Sequence, residues 1–359
     1  MENKWLNEAF RGEVPSDFQG KVGWASPSNI ALVKYWGKKG KQIPQNPSIS
    51  FTLSECRTET FIEYEKANRF GFRFFFEGKE NPAFGAKIEK FLLDNQAFFP
   101  FINQLNLKVE SRNSFPHSSG IASSASSMSA FVMCMLEIER LLVGPSTGSG
   151  TLIKASYFSR LASGSAARSV FPAMALWGKT EAYEGSSDEY AVSLANDIHP
   201  IFRTYHDSIL IVSGETKSVS SRAGHALMEG NPYASARYAQ ANENIKNLLA
   251  ALKSGDLDTF INITESEALQ LHALMMCSNP SFILMKPNTL RIIEEVRNFR
   301  NETHIPLCFT LDAGPNVHLL YPESEAEKVE QFINDNLAAY CVDNKWIADH
   351  VGDGPKKLL

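Results

Sequence analysis

The chain has 359 residues, of which 43% are apolar and 21% are charged, so it has the composition of a globular protein and is long enough for two hydrophobic cores. Its net charge of −5 disfavours a nucleic-acid-binding protein, which would normally carry a basic excess. The five cysteines form no CxxC pair, which disfavours a zinc site or a disulfide scaffold.

The start of the chain, Met1–Trp5, lacks the apolar stretch of a signal peptide. No apolar run in the sequence approaches the length needed to span a bilayer. Together with an odd number of cysteines, these features lead us to expect a cytoplasmic protein.

The first clear strand covers 103–111, where Leu105, Leu107 and Val109 lie on one face. A turn at 114–120 follows, and then a helix from 121 to 142 that is Ser-rich at its start. The other predicted elements, in chain order, are helix 151–161, paired strands 174–177 and 180–183, strand 208–213, helices 233–253, 257–276 and 288–300, strands 307–310 and 317–321, and a helix near 324–339. Strands and helices without regular alternation indicate an α+β fold.

The segment Pro116–Ala125, PHSSGIASSA, lies between a predicted strand and a predicted helix and is the strongest local signal. Backbone N–H groups at a helix start are unpaired and the helix dipole is positive there, so an anion binds favourably. Gly120 would let the backbone approach a ligand closely, and the serine hydroxyls add donors that can also face a phosphate-bound Mg²⁺. The alternative is that the serines only cap the helix, because Ser is a favoured N-cap residue.

This segment resembles the phosphate loop of the galactokinase, homoserine kinase, mevalonate kinase and phosphomevalonate kinase superfamily, which reads roughly PxxxGLxSSA. The resemblance implies a two-lobed α+β fold of the small-molecule kinase superfamily, with the active site in the cleft between the lobes. We therefore predict an N-terminal ATP and phosphate-loop lobe at 1–198, a C-terminal α+β lobe at 199–340, and a tail at 341–359 that returns to the N-terminal lobe.

Further motifs resemble those of the mevalonate diphosphate decarboxylase family and run in order along nearly the whole chain. They are ASPSNIALVKYWGK (25–38), NPSISFTL (46–53), SGSAARS (163–169), VSS (219–221), FTLDAGPN (309–316) and VGDGP (351–355). The resemblance implies ATP-dependent decarboxylation of mevalonate 5-diphosphate to isopentenyl diphosphate, with ATP and Mg²⁺ as cofactors and a homodimer as the assembly.

The implied reaction phosphorylates a tertiary hydroxyl, because phosphate leaves far more readily than hydroxide, and then releases phosphate and CO₂. The implied catalytic residues are Asp312, which would orient the hydroxyl and take its proton, and Arg168, whose planar guanidinium would hold the substrate carboxylate beside it. By position alone, Asp312 can also be a turn-capping residue and Arg168 a member of a surface ion pair.

Other residues take their implied roles from the same motifs. Those implied for substrate binding are Tyr35, Lys38, Ser163, Ser165, Arg168 and Arg222. Those implied for ATP binding are Asn113, Pro116, Ser119, Gly120, Ala122, Ser123 and Ser124. We assign no protein ligand to a metal, because Mg²⁺ is expected on the ATP phosphates, with a hydroxyl of Ser123 or Ser124 as the candidate protein contact. Trp36 is expected to pack and His272 to be structural.

Two departures from the family pattern concern the phosphate end of the substrate. Arg222 stands where the family usually has Thr, and Lys87 falls where it has an Arg. They leave open whether the substrate carries one phosphate or two. The alternatives are a phosphomevalonate decarboxylase or a mevalonate 3-kinase on the same scaffold, or a catalytically silent protein that binds a phosphorylated metabolite. We expect a small phosphorylated substrate and neither a nucleic-acid nor a membrane partner.

Overall fold

The computed structural model describes residues 8–116, 121–144, 150–215 and 221–359, without the side chains of residues 150, 221 and 222. The described chain is α+β. Its strands are β1 Gln19–Ala31, β2 Lys38–Lys39, β3 Ile43–Pro44, β4 Ser48–Lys66, β5 Gly71–Phe76, β6 Lys79–Glu80, β7 Leu105–Asn113, β8 Met174–Trp177, β9 Ala191–Ser193, β10 Tyr205–Leu210, β11 Cys308–Leu311, β12 Val317–Pro322, β13 Trp346–His350 and β14 Lys356–Lys357. Its α-helices are α1 Pro82–Asp94, α2 Ser123–Val143, α3 Gly150–Ala162, α4 Ser221–Ala226, α5 Ala234–Ser254, α6 Leu257–Met276, α7 Pro287–Thr303 and α8 Ala326–Phe332.

The larger sheet of the described chain has the order β14-β1-β4-β7-β5-β6, with β8 paired to β4 and β9 paired to β8. From Cys56 to Tyr64, every second residue of β4 is buried, as expected for a strand with one face on a core. Ile62 pairs with Val109 of β7, and both belong to an apolar cluster that includes Phe131 of α2. Helix α2 packs against β1 and β4, so it lies on this sheet.

The pairing of β1 with β4 is interrupted inside the 25–38 motif. Pro27 pairs with Arg57, whereas Asn29 already pairs with Thr52. Proline has no N–H to donate to a ladder, and such irregularities re-aim the neighbouring side chains. The interruption accompanies the turn of the Asn29 side chain toward the 163–169 motif.

The second sheet is antiparallel, with the order β11-β12-β10-β13. Its core side includes Phe309, Leu319 and Ile292 of α7. Helix α6 packs against β11, so the turn that follows Leu311 lies beside that helix.

The end of the chain contacts both sheets. Strand β13 pairs with β10, and β14 pairs with β1 through Ala25 and Lys356. The carboxylate of Asp349 accepts the backbone N–H groups of Ser54 and Cys56 at 2.8 and 2.7 Å. The lobe boundaries at 198/199 and 340/341 stay predictions.

One predicted strand is wrong. Residues 180–183 form a turn, and the partner of β8 is β9 instead. Ser186 explains the difference, because its hydroxyl accepts the Thr180 N–H at 3.0 Å and donates to the Thr180 carbonyl at 2.8 Å. Such side-chain bonds compete with pairing between strands. The helix predicted near 324–339 is also interrupted, since α8 ends at Phe332 and a π-turn covers Ile333–Leu337. Among the described residues, no helix has the length and apolar character needed to cross a membrane.

Candidate active site

Arg168 is the centre of a buried polar cluster. It is 2% exposed, its Nε donates to Ser50 Oγ at 2.9 Å, and its Nη2 donates to Asn29 Oδ1 at 3.3 Å. Within the described part of the chain, Nη1 is buried without a hydrogen-bond partner. Burial lowers the pKa of Arg168 to about 10, and Tyr35 and Asp312 act in the opposite direction. Because Nε and Nη2 are held by hydrogen bonds and Nη1 is unpaired, this guanidinium is suited to bind an incoming carboxylate or phosphate.

Asn29 is a functional candidate that sequence reasoning missed. Its Nδ2 donates to Ser169 Oγ at 2.7 Å and to the Ser165 carbonyl at 3.3 Å, while its Oδ1 accepts from Arg168. One amide thus fixes both the 163–169 turn and the guanidinium. The available signal was a polar residue directly before the apolar run Ile30–Val33, where a buried amide needs partners.

Lys34 is a second missed candidate. It is 2% exposed, and its ammonium donates to the Ala31 carbonyl. Burial lowers its pKa to about 8, and the strongest opposing influence is the carboxylate of Asp312, followed by Glu267. The signal in the sequence was a lysine directly after the apolar run Ile30–Val33.

Asp312 lies in the turn after β11. Its carbonyl accepts the Gly314 N–H at 2.7 Å and a hydrogen bond from Nε2 of His272 at 3.1 Å. His272 is 1% exposed, so it holds this turn from inside α6. The carboxylate of Asp312 acts electrostatically on Lys34 and Arg168. The structure therefore brings the predicted acid–base residue within electrostatic range of the predicted anion-binding residue and of Lys34.

Tyr35 directs a buried hydroxyl at the 163–169 turn. The hydroxyl has no hydrogen-bond partner among the described residues, and burial raises the pKa of Tyr35. A Cβ at Gly164 would lie 2.9 Å from this oxygen, so a residue with a side chain would collide with it. Trp36 packs in an apolar cluster with Leu271 and Ala313, in agreement with a packing role. A buried hydroxyl without a partner indicates that a ligand completes the site.

The serine-rich helix start meets the 163–169 motif. Ser163 Oγ donates to Ser124 Oγ at 3.4 Å. Asn113 Nδ2 donates to Ser123 Oγ at 3.0 Å, so the end of β7 is tied to the same helix start. The residue at the N-cap of α2 is Ala122, which has a left-handed φ of 40° and makes no side-chain cap bond. The alternative in which a serine caps this helix from the N-cap position is therefore wrong.

Other predicted site residues lie at the ends of the described stretches or outside them. Pro116 ends a described stretch, whereas Ser119 and Gly120 lie outside the described residues, as does the side chain of Arg222. The backbone carbonyl of Ser165 accepts a hydrogen bond from Nδ2 of Asn29 at 3.3 Å, and its backbone lies in the turn that carries Arg168.

Two lysines are candidates for the phosphate end of the substrate. Lys38 is half-buried, and its ammonium donates to Gln42 Oε1 at 3.2 Å. Lys87 is exposed on α1, with Nζ 5.1 Å from the centroid of the Phe84 ring. Within the described part of the chain, no group of three His, Cys, Asp or Glu side chains is arranged to hold a metal ion.

Comparison with protein families gives two matches. Residues 26–191 match the diphosphomevalonate decarboxylase-like N-terminal domain. Residues 208–357 match the mevalonate 5-diphosphate decarboxylase C-terminal domain. Together the two matched regions contain the motifs at both ends of the chain, apart from Ala25.

Similar proteins agree with these matches. A diphosphomevalonate decarboxylase from Eremothecium gossypii is 30% identical over an alignment of 324 residues that covers 84% of this chain and 78% of that protein. A crystal structure of mevalonate diphosphate decarboxylase from Staphylococcus aureus superposes with a TM-score of 0.81 at 26% identity, over 95% of this chain and 99% of that one. A solved structure described as MDDEF in complex with MVAPP, AMPPCP and magnesium has a TM-score of 0.80 at 26% identity, over the same fractions of the two chains. The predicted α+β fold class is thereby confirmed.

Proposed function

Because the chain belongs to the diphosphomevalonate decarboxylase family, we propose that it converts mevalonate 5-diphosphate and ATP into isopentenyl diphosphate, ADP, phosphate and CO₂. The reaction is a step of isoprenoid biosynthesis through mevalonate. The similar structure that contains MVAPP, AMPPCP and magnesium supports ATP and Mg²⁺ as the cofactors.

The observation that carries this proposal is the group formed by Asp312, Arg168 and Lys34. The carboxylate of Asp312 acts electrostatically on both cations, and an ionised carboxylate is the form that accepts a proton. In the proposed mechanism, Asp312 accepts the proton of the tertiary hydroxyl while that oxygen takes the terminal phosphoryl group of ATP. Arg168 binds the substrate carboxylate, and its unpaired Nη1 supplies a free donor for this contact.

Loss of phosphate then leaves positive charge on the tertiary carbon, and the carboxylate releases CO₂ as its bonding electrons form the new double bond. Arg168 would hold the carboxylate in line for this step. Burial of Arg168 strengthens the contact, because electrostatic attraction is greater where water is excluded.

The two ends of the substrate would be bound by different elements. The hydroxyl of Tyr35 and the ammonium of Lys38 come from one segment, and Ser163 and Ser165 from the turn against which Tyr35 lies. They would bind the diphosphate, with Arg222 as a further candidate. The ATP phosphates would lie at the start of α2, near Ser123 and Ser124, and Mg²⁺ supplied with ATP would neutralise their charge.

A direct test is to add ATP and mevalonate 5-diphosphate to the purified protein and to measure ADP, phosphate and CO₂ together. Equal amounts of all three are expected. Mevalonate and its 5-monophosphate are the comparison substrates. ADP formed from mevalonate without CO₂ would indicate the 3-kinase alternative, and CO₂ formed only from the monophosphate would indicate a phosphomevalonate decarboxylase. Absence of ADP with all three would leave a metabolite-binding protein.

A cytoplasmic location and a homodimer are also proposals. The structure leaves all five cysteines unpaired, which agrees with a reducing compartment. The homodimer rests on the family resemblance, and sedimentation equilibrium tests it, with twice the monomer mass as the expected result.

A further inference from the structure

His225 lies in α4 with its ring packed against Tyr35 and Trp36. The ring centroids are 4.3 Å from that of Tyr35 and 4.7 Å from that of Trp36. No motif in the sequence assigns this histidine a role. Its ring touches the segment that carries two of the proposed substrate-binding groups, and it reaches that segment from a position 188 residues further along the chain.

A hydrogen bond defines how the ring is oriented. The backbone N–H of Gly37 donates to Nδ1 of His225 at 2.9 Å. A neutral imidazole that accepts at Nδ1 carries its proton on Nε2. Burial, and next the positive charge of Lys38, lowers the pKa of His225 to about 3, with Asp312 acting in the opposite direction. The acceptor is thus present throughout the pH range in which an enzyme of this kind would be assayed.

The bonded residue is the point at which the chain turns. Gly37 has a φ of 91°, in the left-handed region that favours glycine, and it separates Tyr35 and Trp36 from Lys38. On the other side of the turn, the Gly37 carbonyl accepts the N–H of Gln45 at 3.3 Å. The angle of this turn decides how far the Lys38 ammonium stands from the Tyr35 hydroxyl.

We infer that His225 is a positioning residue for the phosphorylated end of the substrate, since it fixes the Gly37 turn and with it the spacing of the Tyr35 hydroxyl and the Lys38 ammonium. This inference rests on the proposed function and deepens it. His225 acts through its neighbours, and among the described residues its ring contacts and its hydrogen bond are to Tyr35, Trp36 and Gly37 and not to the start of α2. The binding of the diphosphate substrate should therefore depend on His225, and the binding of ATP should not.

Two variants distinguish the effect of the hydrogen-bond acceptor from that of the ring contacts. His225→Asn keeps an acceptor at the same number of bonds from the backbone, because Oδ1 of asparagine corresponds to Nδ1 of histidine. His225→Phe keeps the ring contacts and removes the acceptor. We expect His225→Phe to raise the KM for mevalonate 5-diphosphate about ten-fold or more, since a buried N–H is left unpaired, while the KM for ATP changes less than about two-fold. His225→Asn should remain close to wild type in both.

The inference is overturned if His225→Phe leaves the KM for mevalonate 5-diphosphate unchanged, if it raises both KM values alike, or if His225→Asn is no better than His225→Phe. Thermal unfolding of each variant is measured alongside. Should His225→Phe not fold, His225→Leu replaces it; if both fail to fold, the residue serves the whole fold and the inference is equally overturned.

Calorimetric titration with mevalonate 5-diphosphate, without ATP, distinguishes this inference from the proposed function. If the wild-type protein has no turnover but binds the ligand, and His225→Phe weakens that binding, only the proposed function fails. If turnover is present and the KM is unchanged in the variant, only the inference fails. If the wild-type protein neither turns over nor binds mevalonate 5-diphosphate, both are overturned.

Discussion

The carboxylate of Glu267 accepts the backbone N–H of Lys34 at 2.8 Å, although the two residues are 233 positions apart. Glu267 is 0% exposed and also accepts from Nη1 of Arg237 at 2.8 Å and from Nδ2 of Asn244 at 2.6 Å. An Nη2 of Arg237 reaches the Lys34 carbonyl at 3.3 Å. Helices α5 and α6 therefore hold both backbone groups of Lys34, whose ammonium is influenced electrostatically by Asp312.

The first prediction concerns this buried pair. Glu267→Gln is expected to lower the free energy of unfolding by about 3–5 kcal/mol, because Arg237 would remain buried without its counter-charge. Urea unfolding measures the change. Lys90→Ala removes an exposed ion pair with Asp94 and should cost less than about 1 kcal/mol. Equal effects of the two substitutions would show that burial does not set the importance of the Glu267 contact.

The second prediction concerns Asp312. Asp312→Asn removes the proton acceptor and should lower kcat by a factor of about 10²–10⁴, with the affinity for ATP and for mevalonate 5-diphosphate largely kept. Steady-state kinetics and calorimetric titration measure the two quantities. Asp343→Asn, which alters an exposed carboxylate paired with Lys345, is the matched control and should retain full activity. An Asp312→Asn protein that keeps more than about a tenth of wild-type turnover would exclude Asp312 as the general base.

The third prediction uses the buried hydroxyl of Tyr35. A buried hydroxyl without a partner costs about 1–3 kcal/mol, so Tyr35→Phe should unfold at a higher temperature than wild type in the absence of ligand. The same substitution should raise the KM for mevalonate 5-diphosphate about ten-fold, because a hydrogen bond to a charged ligand is lost. Tyr183→Phe is the contrasting control. Its hydroxyl donates to Asp197 at 2.8 Å, so that variant loses stability and keeps its KM. A less stable Tyr35→Phe protein with an unchanged KM would contradict the prediction.

The fourth prediction is a pH dependence caused by Lys34. The pKa of Lys34 is about 8 in the folded protein, below its ordinary value of 10.5, so the ammonium loses its proton as the pH rises through about 8. We expect kcat/KM to fall above that pH, because Asp312 loses a neighbouring positive charge. Lys34→Arg stays protonated, so its profile should lack this decline. An alkaline decline that is the same in both proteins would assign it to another group.

Stability should change in the opposite direction over the same range. Between about pH 8 and the ordinary lysine pKa, the unfolded chain binds more protons at Lys34 than the folded chain does. The contribution of Lys34 to the free energy of unfolding therefore rises with pH in this window and is constant below it. Urea unfolding of the wild-type and Lys34→Met proteins is measured at pH 7 and at pH 9.5. The difference in the free energy of unfolding between the two proteins at each pH gives the contribution of Lys34.

Much of the local structure followed from the sequence. The predicted strand at 174–177 and the helix at 257–276 have the bounds found in the structure, because each has an uninterrupted pattern of apolar residues. The strand predicted at 180–183 failed because the hydroxyl of Ser186 pairs with Thr180 across a turn, an interaction that no apolar pattern reveals. The motifs also selected Asp312 and Arg168, which the structure brings near each other.

The sequence by itself determined the family and the order of its motifs, because a motif is a property of neighbouring residues. Tertiary structure alone decided which motifs meet and which further side chains join them. Asn29, Lys34 and His225 each depend on a partner 139 to 233 positions away. Their buried polar groups are stable only with those partners, and a partner that distant is fixed by how the helices and sheets pack.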